Sequence, residues 1–213
     1  MASAIIHMAT AKRIKEKLNL NVNEKEYYLG TITPDISKEI NRPRQETHFM
    51  ESGRINIEKF LNKYKKYLNN SFELGYFIHL YTDLLWKDNV INKIIKNKSV
   101  VLLDGTNIEV NEKKFEEIMY NDYSNMNILL LEEYDMDLSL FYEEFEYPVI
   151  NIEEVPNNFL NIIVNKMGII SANSKLDKNY LFDISLIKEF IEKTADECSE
   201  LLIKLEKDFY NKK

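Results

Sequence analysis

An all-α, multi-helical single domain is the fold class this sequence predicts, with room for one small β-hairpin. Three features predict it. Only 5 Gly and 4 Pro punctuate 213 residues, too few for an all-β fold with its many turns. The composition, 45% hydrophobic and 30% charged, is rich in Lys, Glu and Leu. Apolar residues recur at helical spacing along most of the chain. The length allows a sizeable core, and no internal repeat or low-complexity linker divides it, so residues 1–213 read as one domain.

The elements follow in order. Ser3 can cap a first helix running through Leu18, with Ile6, Ala9, Ile14 and Leu18 on or near one face. A short helix over Asn23–Leu29 is expected to stop at Gly30. TITPDIS then turns, because Pro34 biases Thr33 away from helix. Residues 37–54 are polar, contain Pro43 and Gly53 and lack periodicity, so they read as a long loop of the kind that often carries function. Ile57–Leu68 is amphipathic. Asn70 or Ser71 caps a long helix from Phe72 to about Lys96. VVLLDGTNIEV has the form of a hairpin turning at Asp104-Gly105. Helical pattern resumes over Glu112–Glu133, near Asn158–Met167 and over Ile184–Phe209, with residues 135–156 carrying the weakest pattern.

Charge and cysteine usage narrow the function. A net charge of −7 with no basic block argues against nucleic acid as a standing partner. Cys198 is the single cysteine, which excludes an internal disulfide framework and a Cys-rich zinc knuckle. No run of about 18 apolar residues exists to cross a membrane. MASAIIHMATAKRI becomes amphipathic too soon for a signal peptide and reads as a helix of the mature chain. A cytoplasmic protein is the expectation.

The stretch GYFIHLYTDLLW, Gly75 to Trp86, is apolar or aromatic on nearly every helical face, yet carries His79 and Asp83 one turn apart. Burying an imidazole and a carboxylate is costly unless something compensates them. Gly75 leaves their face open on one side of His79, and Trp86 closes it beyond Asp83. The pair reads either as a hydrogen-bonded core pair or as two ligands of a divalent metal on a rigid helix. The other histidines are His7, on the first helix, and His48, at the end of the polar loop. Asp35 follows Pro34 in a turn that could aim it inward. Taken singly, each of these also has an ordinary reading as a core, loop or turn residue. Together, imidazoles and carboxylates suit zinc first, with Fe or Mn possible.

His7 in IIHMATAK, Asp35 in LGTITPDI, His48 in THF and the His79…Asp83 pair resemble, in the same order, the zinc-dependent phospholipase C family. More closely they resemble its short cytoplasmic relatives in low-GC Gram-positive bacteria. The superfamily also contains zinc-dependent single-strand nucleases. The resemblance covers about residues 3–90. It implies an all-α fold of that type and one or two zinc ions, with Asp35, His48, His79 and Asp83 on the first. His7 would belong to the second, bridged to the first through Asp83. It implies hydrolysis of a phosphoester by a metal-activated water, with Asp35 accepting the proton in a catalytic role. The substrate would be a lipid or a small soluble phosphoester, which makes the protein phospholipase C-like or a phosphodiesterase.

Departures from the family pattern matter. Asn89 stands where the secreted members carry a further histidine, and no histidine follows His79 to complete a third zinc site. The secreted members also use a processed N-terminal amine as a ligand. Six residues precede His7 here, so the second metal is expected to be under-liganded. In MYNDYSNMN, Asp122 falls where the short relatives are acidic, while Asn125 and Asn127 replace expected aspartates. Asp122 is a candidate additional ligand or outer-shell carboxylate, or an exposed acid on an amphipathic helix. These departures leave a second function open: a non-catalytic binding or interaction module with at most one structural metal. A phosphohydrolase built on an adjacent His-Asp dyad is disfavoured because no His-Asp dipeptide occurs.

Overall fold

A computed structural model describes residues 1–144 and 146–210, and the side chains of these except at 140 and 208–210. The chain is mainly helical. In order it forms α1 (Ala4–Leu18), α2 (Glu24–Ile32), the short α3 (Arg44–Thr47), β1 (Met50–Glu51), β2 (Arg54–Ile55) and α4 (Ile57–Tyr64). There follow α5 (Ser71–Trp86), a three-residue α6 (Asn92–Ile94), β3 (Ser99–Val101), β4 (Asn107–Glu109), α7 (Glu112–Glu133), α8 (Leu160–Asn173) and α9 (Ile184–Tyr210). The strands form two antiparallel hairpins, β1–β2 and β3–β4. Among the described residues no helix is long and apolar enough to cross a membrane.

The centre is α5. It is apolar all round, and twelve of its residues from Phe72 to Trp86 are buried, as a helix surrounded by others requires. Helices α1, α2, α4 and α9 pack against it. Trp86 sits among Tyr123, Phe182 and Phe190. The closest approach is to α2, where two glycines interlock. A Cβ on Gly75 would lie 2.1 Å from the Tyr27 carbonyl oxygen, and one on Gly30 would lie 2.1 Å from that of Phe72. Backbone touches backbone on both sides.

That contact corrects the expectation that Gly30 ends its helix. The helix runs through Gly30 and passes into a 3-10 turn over Thr33–Ile36 with Pro34 near its start. Gly30 is there for close packing, not for a left-handed cap. The long helix expected to reach about Lys96 continues past Trp86 through a π-helical turn, Lys87–Ile91, and ends at Ile94. Ser3 caps α1 as read, accepting from the Ile6 N–H at 3.2 Å. The β3–β4 pairing, Ser99 with Glu109 through Val101 with Asn107, is the hairpin anticipated around Asp104-Gly105. The polar stretch 37–54 is less irregular than its composition suggests, since α3, β1 and the start of β2 lie within it.

The second half of the chain braces the first. Helix α9 lies along α1, with Arg13 paired to Glu192 at 2.6 Å and Lys17 to Asp196 at 2.8 Å on the solvent edge. Buried Glu73 of α5 accepts both the backbone N–H and the side-chain amide of Asn151, at 2.7 and 2.8 Å, tying down the weakly patterned stretch 135–156.

Candidate metal centre

Each histidine and aspartate of the centre is set by local backbone chemistry. His7 projects from the second turn of α1. Asp35 sits in the 3-10 turn after α2, where Pro34 presets the backbone. Lys166 of α8 holds that turn by donating to the Asp35 carbonyl oxygen at 2.9 Å. His48 follows the last residue of α3, and Phe49 after it adopts a left-handed φ of 51°, unusual for an aromatic residue. The strain, about 1–2 kcal/mol, is offset by packing of the Phe49 ring edge-on to Phe60, Tyr64 and Tyr76. Fixing Phe49 fixes His48 beside it. Tyr76 adds a hydroxyl that donates to the Thr47 carbonyl.

The five side chains meet. His7, His48 and His79 are fully buried and Asp83 is 4% exposed, whereas the Asp35 side chain is 20% exposed. Two groups of potential ligand atoms lie within 4.8 Å of one another: His7, Asp35 and His79, and His48, His79 and Asp83. The two oxygens of Asp83 look in different directions. Oδ1 is 3.3 Å from His7 Nε2 and accepts the Ala2 N–H at 2.9 Å. Oδ2 is 3.7 Å from His48 Nε2 and 3.8 Å from His79 Nε2. The rings of His7 and His79 stack with centroids 3.8 Å apart.

One hydrogen bond decides the His79 tautomer. The Thr31 carbonyl can only accept, so the His79 Nδ1 at 2.7 Å must carry a proton and its Nε2 is free to accept or to bind a cation. The Thr47 hydroxyl lies 3.1 Å from His48 Nδ1 and can donate to it or accept from it. The Nε2 atoms of His48 and His79 face one another across 3.3 Å. Burial keeps both imidazoles below their ordinary range, His79 well below with the adjacent His7 adding to the effect. Burial pushes the carboxyls of Asp35 and Asp83 up, but contact with His48 and with His7 respectively outweighs it and holds both low. At neutral pH two anionic carboxylates and two neutral imidazoles therefore share one interior space, and neither His7 ring nitrogen makes a well-formed hydrogen bond.

Zinc fits this donor set. Two ligands about 2.05 Å from a tetrahedral zinc lie roughly 3.3 Å apart. His48 Nε2 is 3.3 Å from His79 Nε2 and 3.4 Å from Asp35 Oδ1. A cation there would engage both facing nitrogens and lie beside both carboxylates. The outer nitrogens are already anchored to Thr31 and Thr47, the second layer of bonds that orients metal-binding imidazoles.

One charged residue of the centre escaped the sequence reading. Arg44 opens α3, and its guanidinium bridges the carboxylates, NH1 to Asp35 Oδ1 at 3.2 Å and NH2 to Asp83 Oδ2 at 2.7 Å. Its signal was its place in RPRQETH, four residues before His48, where one helical turn puts both on one face. The centre opens through Asp35 and Arg44 into a cavity of about 800 Å³. Ile32, Ile163 and Met167 form its apolar wall. Tyr27, Tyr28, Phe49, Tyr76, Phe77 and Trp86 are buried in the core, and the aromatic residues that line the cavity are Tyr120 and Tyr123.

Asp122 is not in either group. It is fully buried on α7, and its carboxylate accepts the backbone N–H groups of Tyr180, Leu181 and Phe182 at 2.9, 2.6 and 2.9 Å. Both oxygens are committed to pinning the segment that leads into α9, which leaves neither the exposed-acid nor the ligand description standing. Asn125 supports the same segment through Asn179 and Asp177, while Asn127 lines the cavity. Asp122→Ala is expected to cost about 3 kcal/mol in urea denaturation by stranding buried amide donors, with zinc content per chain unchanged. Loss of zinc at preserved stability would assign Asp122 to the centre instead.

Fold and site together define a helical protein whose interior presents a mixed imidazole–carboxylate cluster to an open pocket. The family model for zinc dependent phospholipase C matches residues 5–197, and the chain belongs to that family. No curated protein and no solved structure matches it. Family membership suggests a metal-dependent phosphoester hydrolase, and the match extends well beyond the first 90 residues that carry the motifs.

Proposed function

We propose that the chain is a cytoplasmic zinc-dependent hydrolase of a lipid or small soluble phosphoester, with residues 1–213 as its single domain. Asp35, His48, His79 and Asp83 would hold one zinc, and His7 with Asp83 would contribute to a second. The observation that carries this reading is the pair of Nε2 atoms facing each other at 3.3 Å beside two carboxylates. A cation there would engage both nitrogens and lie beside both carboxylates, whereas Arg44 reaches only the carboxylates.

Zinc held there supplies polarisation of a phosphoryl oxygen and makes a neighbouring water acidic enough to lose a proton near neutral pH. The residues do the rest. His48 and His79, held by Thr47 and Thr31, keep the cluster rigid, so little reorganisation accompanies reaction. Asp35 is the member of the five that reaches the cavity, and it is ionised at neutral pH, so it is free to take up the attacking water's proton. Attack on phosphorus is in line, opposite the departing alcohol. The apolar wall limits competing water and strengthens the charge interactions near it.

Openness favours catalysis over a non-catalytic module. A structural metal site is closed by its protein ligands, whereas this cluster borders a cavity through a partly exposed carboxylate. Asp35→Asn, assayed at saturating zinc, is expected to slow hydrolysis of a generic aryl phosphodiester at least hundredfold, while the thermal midpoint moves by a few degrees. Unchanged hydrolysis would remove Asp35 from the role given to it.

A further inference from the structure

We propose that Arg44 is the anion-binding residue of this pocket, a guanidinium clamped between Asp35 and Asp83 whose free edge holds a phosphoryl oxygen of the ligand. The inference rests on the phosphoester reading above and adds a residue to it.

The clamp comes first. With NH1 on Asp35 Oδ1 and NH2 on Asp83 Oδ2, two bonds from one planar group to two separate carboxylates fix its plane as well as its position. A guanidinium has five N–H donors, and among the described residues these two bonds are the ones it makes to protein. The side chain is 29% exposed and lines the 800 Å³ cavity, so unspent donors are available there.

The surroundings favour an anion. In a chain of net charge −7, the charged residues lining this cavity are Lys38, Arg42, Arg44 and Lys166 against Asp35 and Glu39. A local excess of positive charge on an acidic protein draws anions to one place. Lys166 is already committed to Glu39 and to the Asp35 carbonyl, and Arg42 leans on Glu46 and the Glu153 carbonyl. Arg44 is the cation that also touches the carboxylates of the candidate metal centre. A phosphoryl group at the free edge of the guanidinium meets fixed positive charge, arranged before it arrives.

The competing possibility is that Arg44 only neutralises Asp35 and Asp83. Calorimetric titration of inorganic phosphate into the zinc-saturated full chain separates the two. Arg44→Gln is expected to weaken phosphate binding at least tenfold. Arg44→Lys, which keeps the charge but loses the planar fork, should fall between Gln and wild type. Zinc content of both variants should match wild type, and the circular-dichroism melt should show both folded, with Arg44→Gln melting lower because Asp83 loses a partner. Phosphate binding by Arg44→Gln equal to wild type, no binding by wild type, or zinc lost in step with phosphate in both variants overturns the proposal. Aryl phosphodiester turnover is measured on the same wild-type sample. Arg44-dependent phosphate binding without turnover supports the anion site and defeats the hydrolase reading, so the two fail separately.

Discussion

Gly75→Ala is expected to destabilise the protein by about 2 kcal/mol and to disrupt the metal centre with it. The new Cβ would sit 2.1 Å from the Tyr27 carbonyl oxygen and 3.0 Å from the Thr31 amide nitrogen. Both are backbone atoms of α2, so no flexible side chain can move aside. Alanine gains roughly 1 kcal/mol of helix propensity over glycine, but overpacking two rigid helices costs about 3 kcal/mol or more. The clash wins. Helices α2 and α5 must separate, and the Thr31 carbonyl that anchors His79 Nδ1 at 2.7 Å lies at this same crossing. Urea denaturation and zinc analysis of the variant check both parts. A wild-type midpoint would mean that the helices are not in backbone contact at Gly75. Gly30→Ala, meeting Phe72 from the other side, should behave alike.

His79→Ala has the largest expected effect on metal. His79 is common to both groups of potential ligands. Its removal is expected to reduce bound zinc to less than a tenth of wild type, read by elemental analysis after dialysis. The variant does not leave Asp83 unpaired, because Asp83 keeps the Ala2 N–H and Arg44 as partners. What is stranded is the Thr31 carbonyl, together with the space beneath the stacked His7 ring. An orphaned acceptor plus a cavity amounts to about 2–4 kcal/mol in the metal-free protein. Wild-type zinc content in this variant would take His79 out of the centre.

Much of the fold was legible because periodicity is a local signal. The Glu112–Glu133 helix and the start of α9 at Ile184 follow directly from it. What misled was punctuation with a tertiary cause. Gly30 looks like a helix stop, yet its missing Cβ serves a contact with Phe72, more than forty residues away. The π-helical turn after Trp86 carries no proline or glycine to announce it. At the centre, residue types and order pointed to a cluster, and five side chains do converge. Arg44 went unnoticed because its spacing from His48 means a shared face only once that stretch of the polar loop is known to fold into α3. Asp122 stood out because its neighbours are acidic in the short relatives, whereas its use, three amides between 180 and 182, depends on a chain reversal the sequence does not display.

The central claim is that a cation belongs between the facing imidazoles. Crystals of the purified protein, grown without chelator, allow an anomalous difference map to be recorded on either side of the zinc absorption edge. The account predicts a peak that vanishes below the edge, within bonding distance of His48 Nε2 and His79 Nε2 and bordered by Asp35 and Asp83. A map with no such peak after zinc soaking, while the two rings keep their 3.3 Å separation, would contradict it.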